Sequence, residues 1–96
     1  MQITVYILLC AYRTYYVSLT KKEPEQREWE HNQRLVGGYT SSRTPVKLVH
    51  TEGFERIIDA IDREQQLKKW SRRKKGALIR GDYLSLSDLA SRPKRR

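Results

Sequence analysis

Two apolar segments separated by a short turn open the chain. Residues 3–10 are rich in β-branched side chains and almost continuously apolar, which predicts a strand buried on both faces. A turn at 11–13 leads into residues 14–20, where alternate side chains from Tyr15 onward form a mostly apolar face. The two segments therefore predict a β-hairpin.

The middle of the chain predicts a helix, a loop and a third strand. Pro24 suits the first turn of a helix, which we expect to run to about Gln33 or Leu35 because Gly37–Gly38 then breaks it. Residues 39–45 form a polar loop, and the apolar residues that follow predict a strand over 46–50.

Helical periodicity dominates the remainder. A second helix is expected from Phe54 to about Trp70, and its predicted core face consists of Phe54, Ile57, Ile58 and Ile61. Ser71 is a suitable N-cap for a third helix at 72–79. A last short helix is predicted at 85–91.

The resulting order, ββαβαα, predicts an α+β domain in which a small sheet packs against helices. We assign residues 1–91 to one domain. Residues 92–96 form a basic tail without core residues, which we expect to be disordered.

Charge and cysteine content narrow the functional classes. The 96 residues contain 20 Lys and Arg against 11 Asp and Glu, a net charge of +9, which favours a polyanionic partner such as nucleic acid over a merely solvated basic surface. The single cysteine, Cys10, excludes an internal disulfide and a cysteine-rich zinc site and suits a reducing compartment. The longest apolar segment is too short to span a bilayer, so we expect a cytoplasmic protein without a membrane partner.

The basic residues concentrate in one region. Positions 68–80 contain seven of them and no acidic residue: Lys68, Lys69, Arg72, Arg73, Lys74, Lys75 and Arg80. The pattern is typical of contact with a phosphate backbone, and a solvated helix face is the alternative.

The hairpin brings two tyrosines together. If its turn centres near Tyr12, Leu8 lies opposite Tyr16 and Tyr6 lies opposite Ser18, so Tyr6 and Tyr16 become diagonal neighbours on one face. They are candidates for a site, although two core aromatic residues would give the same pattern.

Two further positions could carry chemistry. Arg27 and His31 share one face of the first helix and could bind a phosphate and accept a proton, or Arg27 could simply pair with Glu23 or Glu30. Glu64 falls within the apolar stripe of the second helix, where a carboxylate needs a partner. That partner is either a divalent cation or a Lys or Arg side chain.

The motifs together resemble the GIY-YIG nuclease domain, and especially its small stand-alone bacterial members, which are similar to the catalytic domain of an excinuclease subunit. The resemblance extends over about residues 5–90. It is carried by these segments in order: Val5-Tyr6-Ile7, Tyr16-Val17-Ser18, Arg27-x-x-x-His31, Gly38-Tyr39-Thr40-Ser41, Arg43 to Val49, Glu64, and Lys69 to Ile79.

The resemblance implies a three-stranded antiparallel sheet flanked by helices and a metal-dependent endonuclease, with a role in DNA repair. Glu64 would hold one Mg²⁺ or Mn²⁺ ion, and no small-molecule cofactor is expected. Tyr6 would act as general base, and Tyr16 would position the phosphate or support the base. Arg27 would stabilise negative charge, and His31 would assist proton transfer.

The expected partner is branched or duplex DNA, with RNA possible. Its predicted contacts are Tyr39, Thr40, Arg43, Lys68, Lys69, Arg72, Arg73, Lys74 and Lys75. One departure bears on activity: Ser18 stands where the second motif usually ends in glycine, so it could crowd the site or hydrogen-bond to Tyr6. A binding module without turnover, or a small RNA-associated basic protein, are therefore the alternatives.

Overall fold

The computed structural model describes residues 2–84 and residue 86. In chain order the elements are β1 (Ile3–Leu9), β2 (Tyr15–Thr20), α1 (Pro24–Asn32), β3 (Lys47–Phe54), α2 (Ile57–Lys69) and α3 (Arg72–Arg80), with short 3₁₀ turns at Ala11–Arg13 and Tyr39–Ser42. The predicted α+β fold and the ββαβαα order are confirmed. Except for Leu86, the helix predicted at 85–91 and the tail at 92–96 lie outside the described residues.

The three strands form an antiparallel sheet in the order β2-β1-β3. Leu8 pairs with Tyr16 and Tyr6 with Ser18, which is the predicted register. The hairpin turn brings Tyr12 and Arg13 to positive φ values of 66° and 61°. β2 lies at one edge of the sheet, and residues from both faces of the sheet lie next to one another along that edge.

The third strand is longer than predicted, and the second helix begins later. β3 continues to Phe54, which pairs with Ile3 at the far end of β1, and α2 begins at Ile57. The placement of Phe54 at the start of the helix was therefore wrong. On the side away from β2, β1 has backbone N–H and C=O groups that need partners along its whole length. Residues up to Phe54 form hydrogen bonds with these groups as a strand, which they could not do as part of a helix.

The predicted core face of the second helix was also wrong. Ile57, Ile58 and Ile61 are 43%, 54% and 43% exposed, whereas the buried residues of α2 are Ala60, Glu64 and Leu67. Small Ala60 permits a close approach to the sheet, and that docking turns the isoleucines outward.

The two faces of the sheet pack against different helices. On one face Val5, Ile7 and Val17 form the main apolar core with Ala60 and Leu67 of α2. On the other face Tyr6 and Leu8 pack with Cys10, Val46, Tyr16 and Leu48, and Tyr6 reaches His31 of α1.

Ion pairs and caps hold the helices in place. Arg63 of α2 donates to both oxygens of Glu52 on β3, at 2.8 and 3.0 Å, and Glu52 also contacts His50. The Ser71 hydroxyl accepts from the Lys74 backbone N–H at 3.1 Å, which confirms the predicted cap of α3. Among the described residues, no helix combines the length and apolarity needed to cross a membrane.

Candidate functional site

A buried hydrogen-bonded chain links Tyr6, His31 and Thr40. The Tyr6 hydroxyl lies 3.3 Å from His31 Nε2, and His31 Nδ1 lies 2.6 Å from Thr40 Oγ1. When Nδ1 carries the proton, it donates to Thr40 and leaves Nε2 free to accept from Tyr6. In that tautomer His31 can receive the phenol proton.

Thr40 was predicted to contact nucleic acid, but its side chain is buried. It is 1% exposed, and its hydroxyl is engaged with His31, so the structure gives it a supporting contact and not a direct contact with nucleic acid. The short 3₁₀ turn Tyr39–Ser42 brings it there after the α1 helix has ended. The segment Gly38-Tyr39-Thr40-Ser41 was recognised as a motif, but the contact between Thr40 and the His31 imidazole is visible only in the fold.

Burial and the neighbouring Arg27 guanidinium shift the pKa values of Tyr6 and His31. Burial raises the pKa of Tyr6, while hydrogen bonds from Arg27 and Ser18 oppose that rise. Burial also lowers the pKa of His31, and the nearby Arg27 charge lowers it further. His31 is therefore neutral at pH 7 and available as a proton acceptor.

Arg27 lies between Tyr6 and Glu30. Its guanidinium forms an ion pair with Glu30, which is one of the pairings considered from the sequence, and it also acts to lower the pKa of Tyr6. Glu30 accepts from Lys22 as well, at 3.0 Å. The hydrogen bonds from Lys22 and Arg27 hold the pKa of Glu30 below its usual value. Arg27 is thus held in place beside the Tyr6 phenol.

Aromatic contacts extend this cluster to the surface. The Tyr16 ring makes an edge contact with His31 at 5.2 Å and stacks on Tyr39 at 5.9 Å with an interplanar angle of 19°. Arg43 lies over the outer side of Tyr39, 4.0 Å from the ring centroid, and donates to the Tyr39 carbonyl oxygen. The stack therefore leads from buried His31 to solvent.

Tyr16 and Tyr39 line a pocket of about 240 Å³ at the β2 edge of the sheet, here named the edge pocket. Its other lining residues are Tyr15, Val17, Lys68 and Lys75. Burial lowers the pKa of Lys75 from its usual value. Two amines and three phenol rings thus surround a space that suits an anionic group.

Glu64 approaches the sheet from the α2 side, opposite the face that carries Tyr6. It is 9% exposed, and its Oε2 lies 3.4 Å from Nζ of Lys68, one helical turn further on. Gln65 is its other contact, also at 3.4 Å. Glu64 thus adjoins the edge pocket through Lys68, whereas Tyr6, Tyr16, Arg27 and His31 cluster on the α1 side.

The donor set around Glu64 fits one hydrated hard cation. No group of three or more His, Cys, Asp or Glu side chains converges within residues 2–84 and 86. Mg²⁺ usually keeps several waters and binds through one or two carboxylates. The two contacts of Glu64 are long and come from flexible side chains, so its oxygens can turn to such an ion. The site does not fit structural zinc, which takes four protein ligands.

The remaining predicted contact residues lie around α3. Lys74 places its ammonium 4.2 Å from the Trp70 ring centroid, and Arg72 lies 6.0 Å from the Tyr15 ring. Lys69 and Arg73 are exposed. Tyr15 was not among the predicted site residues, because its alternation with Tyr16 placed it on the core face of the strand. Its position on an edge strand is what makes it part of the pocket.

Comparison with known proteins identifies the family. Residues 2–77 match the GIY-YIG catalytic domain. A UPF0213 protein of Natronomonas pharaonis is 44% identical over 75 residues, which cover 78% of this chain and 87% of that protein. A UPF0213 protein of Syntrophus aciditrophicus is 46% identical over 77 residues, which cover 79% of this chain and 87% of the relative.

Solved structures agree with this assignment. The solution NMR structure of a UPF0213 protein from Bacillus halodurans is 34% identical, covers 82% of this chain and 83% of that one, and has a TM-score of 0.53. The solution NMR structure of an E. faecalis protein is 34% identical, covers 88% of each chain and has a TM-score of 0.58. The chain is therefore a member of the GIY-YIG nuclease family, within its UPF0213 group of small proteins.

Proposed function

We propose that this protein is a divalent-metal-dependent endonuclease that hydrolyses phosphodiester bonds of DNA at the edge pocket. The observation that carries the proposal is the convergence of Tyr16, Lys68 and Lys75 on one pocket, with Glu64 beside it and the Tyr6–His31 pair behind it. Nuclease-family membership supports a nucleic-acid substrate.

The burial of Tyr6 favours an exchange of roles between the two tyrosines. Tyr6 is 0% exposed, whereas Tyr16 lines the pocket. We therefore propose that Tyr16 contacts the substrate and the attacking water. The buried Tyr6–His31 pair then serves as the proton acceptor. The Arg27 guanidinium stabilises negative charge on the Tyr6 phenol, because a nearby positive charge lowers the pKa of that group.

The charged residues have complementary tasks. Lys68 and Lys75 attract and hold the scissile phosphate. When bound at Glu64, a divalent cation supplies positive charge that offsets the charge developing on the phosphate oxygens. Lys68 turns from Glu64 to the phosphate as substrate enters, since its ion pair is 3.4 Å long and its side chain is half exposed.

The decisive experiment compares Glu64→Gln with Glu55→Gln, an exposed carboxylate outside the pocket. Cleavage of duplex and branched DNA is measured with Mg²⁺ or Mn²⁺ and with EDTA. We expect Glu64→Gln to lose at least about 100-fold in rate, as removal of a charge-stabilising group does, and Glu55→Gln to match the wild type. Cleavage that survives Glu64→Gln unchanged would refute the proposed site.

A binding module without turnover is the second candidate, because Ser18 occupies the usual glycine position of the second motif. Ser18 lies directly opposite Tyr6, and its hydroxyl acts to lower the pKa of the Tyr6 phenol, which favours tolerance over obstruction. Ser18→Gly tests this: a gain in metal-dependent cleavage indicates a blunted active site. If neither form cleaves DNA or RNA and both bind with a steep salt dependence, the binding module is the correct function.

A further inference from the structure

A second basic pocket lies next to the edge pocket. It measures about 450 Å³ and is lined by Arg13, Tyr15, Arg72, Arg73, Gly76 and Arg80, and we name it the arginine pocket. Arg13 comes from the hairpin turn, Tyr15 from β2 and the other residues from α3. Three separate parts of the chain thus place four guanidinium groups around one space.

The charges in this pocket are largely uncompensated. No acidic residue in the described part of the chain lines it, and the first turn of α3 contains none. Within residues 2–84 and 86, Arg13, Arg72 and Arg73 form no salt bridge, and Arg80 lies 3.9 Å from Asp82. Four exposed like charges around one pocket repel one another, and an anion bound between them offsets part of that repulsion.

Gly76 lies at the floor of the pocket, where a side chain would narrow it. It is buried within α3, where alanine would favour the helix by about 1 kcal/mol. A Cβ at this position would lie 3.3 Å from Nη1 of Arg80 and 3.7 Å from the Tyr15 hydroxyl. The glycine therefore leaves room for Arg80 and Tyr15 to face the same space.

Tyr15 connects the two pockets, because it lines both. A path past Tyr15 therefore connects a phosphate in the edge pocket with the arginine pocket. The planar guanidinium fork suits phosphate oxygens, and Tyr15 offers a ring against which a sugar or base can pack.

We propose that the arginine pocket binds a non-scissile backbone phosphate of the nucleic-acid strand that is cut at the edge pocket. The inference rests on the proposed function and adds a second anchor to it. An anchor one or a few nucleotides from the scissile bond fixes the direction of the strand across the β2 edge. It also raises the occupancy of the edge pocket.

Binding of a fluorescein-labelled DNA duplex, measured by anisotropy over a range of salt concentrations, tests this inference. All proteins carry Glu64→Gln, so that the readout does not depend on turnover. The test variant is Arg72→Gln/Arg73→Gln. The matched control is Lys47→Gln/Arg56→Gln, which removes two exposed charges near the opposite edge strand, β3.

The test variant should bind at least about tenfold more weakly than the control, with the slope of log Kd against log salt reduced by about one. Gly76→Ala should weaken binding while leaving thermal stability equal or higher. Weaker binding without a loss of thermal stability would show that the added methyl group fills the pocket and does not unfold the helix. Duplexes with and without a terminal phosphate should give the same loss, because the phosphate concerned is internal.

The outcomes separate the two proposals. If the test variant and control bind alike while Glu64→Gln abolishes cleavage in otherwise wild-type protein, the arginine pocket is refuted and the nuclease stands. A loss confined to duplexes with a terminal phosphate would also refute the internal contact. If the arginine effect appears but the wild type never cleaves, the pocket stands and the nuclease fails. Absence of any nucleic-acid binding would overturn both.

Discussion

The two faces of the sheet are built from alternate residues of the same strand but have opposite chemistry. Towards α2, Val5 and Ile7 meet Ala60 and Leu67 in an apolar core. Towards α1, Tyr6 reaches a histidine that is 0% exposed. The comparison teaches that β1 packs the apolar core on one side and carries candidate site residues on the other, so that each side can be changed separately.

Glu64 is the exception that connects the faces. It lies on the apolar side, between Ala60 and Leu67 along α2, yet its partner Lys68 lines the edge pocket. A buried carboxylate with one long ion pair does little for stability. Its position is better explained by the pocket than by the core.

The largest expected effect tests the apolar face. Leu67→Ala should lower the free energy of unfolding by about 3 kcal/mol, because it leaves a cavity beneath a fully buried side chain. Leu35→Ala, the same change at a position that is 66% exposed, should have almost no effect. Urea unfolding measures both. Equal losses would mean that α2 does not form the core.

Tyr6→Phe tests the chemical face. The ring still fills its space, so stability should change by no more than about 1.5 kcal/mol, while the cleavage rate falls about 100-fold. Tyr12→Phe, which alters a phenol that is 84% exposed, is the control. A Tyr6→Phe protein of full activity would remove the phenol from the mechanism.

Thr40→Val sharpens the comparison further. It keeps the shape of the side chain but deprives His31 Nδ1 of its partner, so the preferred tautomer is lost. We expect about a tenfold decrease in rate and a displaced pH profile, both restored by Thr40→Ser. A decrease that Thr40→Ser also shows would indicate a packing defect instead of an effect on His31.

A smaller effect should appear in the pH dependence of stability. The pKa of His31 is lower in the folded chain than in the unfolded one, so unfolding takes up a proton between the two values. This stability is complete above the unfolded value of about 6.5 and is lost as pH falls through the folded pKa. The Tm of His31→Gln should therefore decrease less than that of the wild type between pH 7.5 and 5.5. Parallel curves would contradict the shift.

The smallest effect concerns the outward isoleucines of α2. Ile58→Gln should change the free energy of unfolding by no more than about 0.5 kcal/mol, since the side chain is already 54% exposed. Thermal melts of this variant beside the wild type measure it. A loss of unfolding free energy comparable with that of Leu67→Ala would support the core face of α2 that was predicted from the periodicity.

Local patterns determined much of this protein. The alternation in residues 3–20 determined the hairpin and its register, because strand pairing across a short turn is a local property. Pro24, Ser71 and the helical spacing located the three helices to within a few residues, and the motif order indicated the family.

Only the tertiary structure decided which sides of those elements are used. Ile57 and Ile61 follow the helical period as well as Ala60 and Leu67 do, and docking against the sheet chose the latter pair. Thr40 met His31, and Tyr15 joined two pockets, because distant segments converge at one sheet edge. Periodicity describes one element at a time, whereas burial and contact depend on what each element packs against.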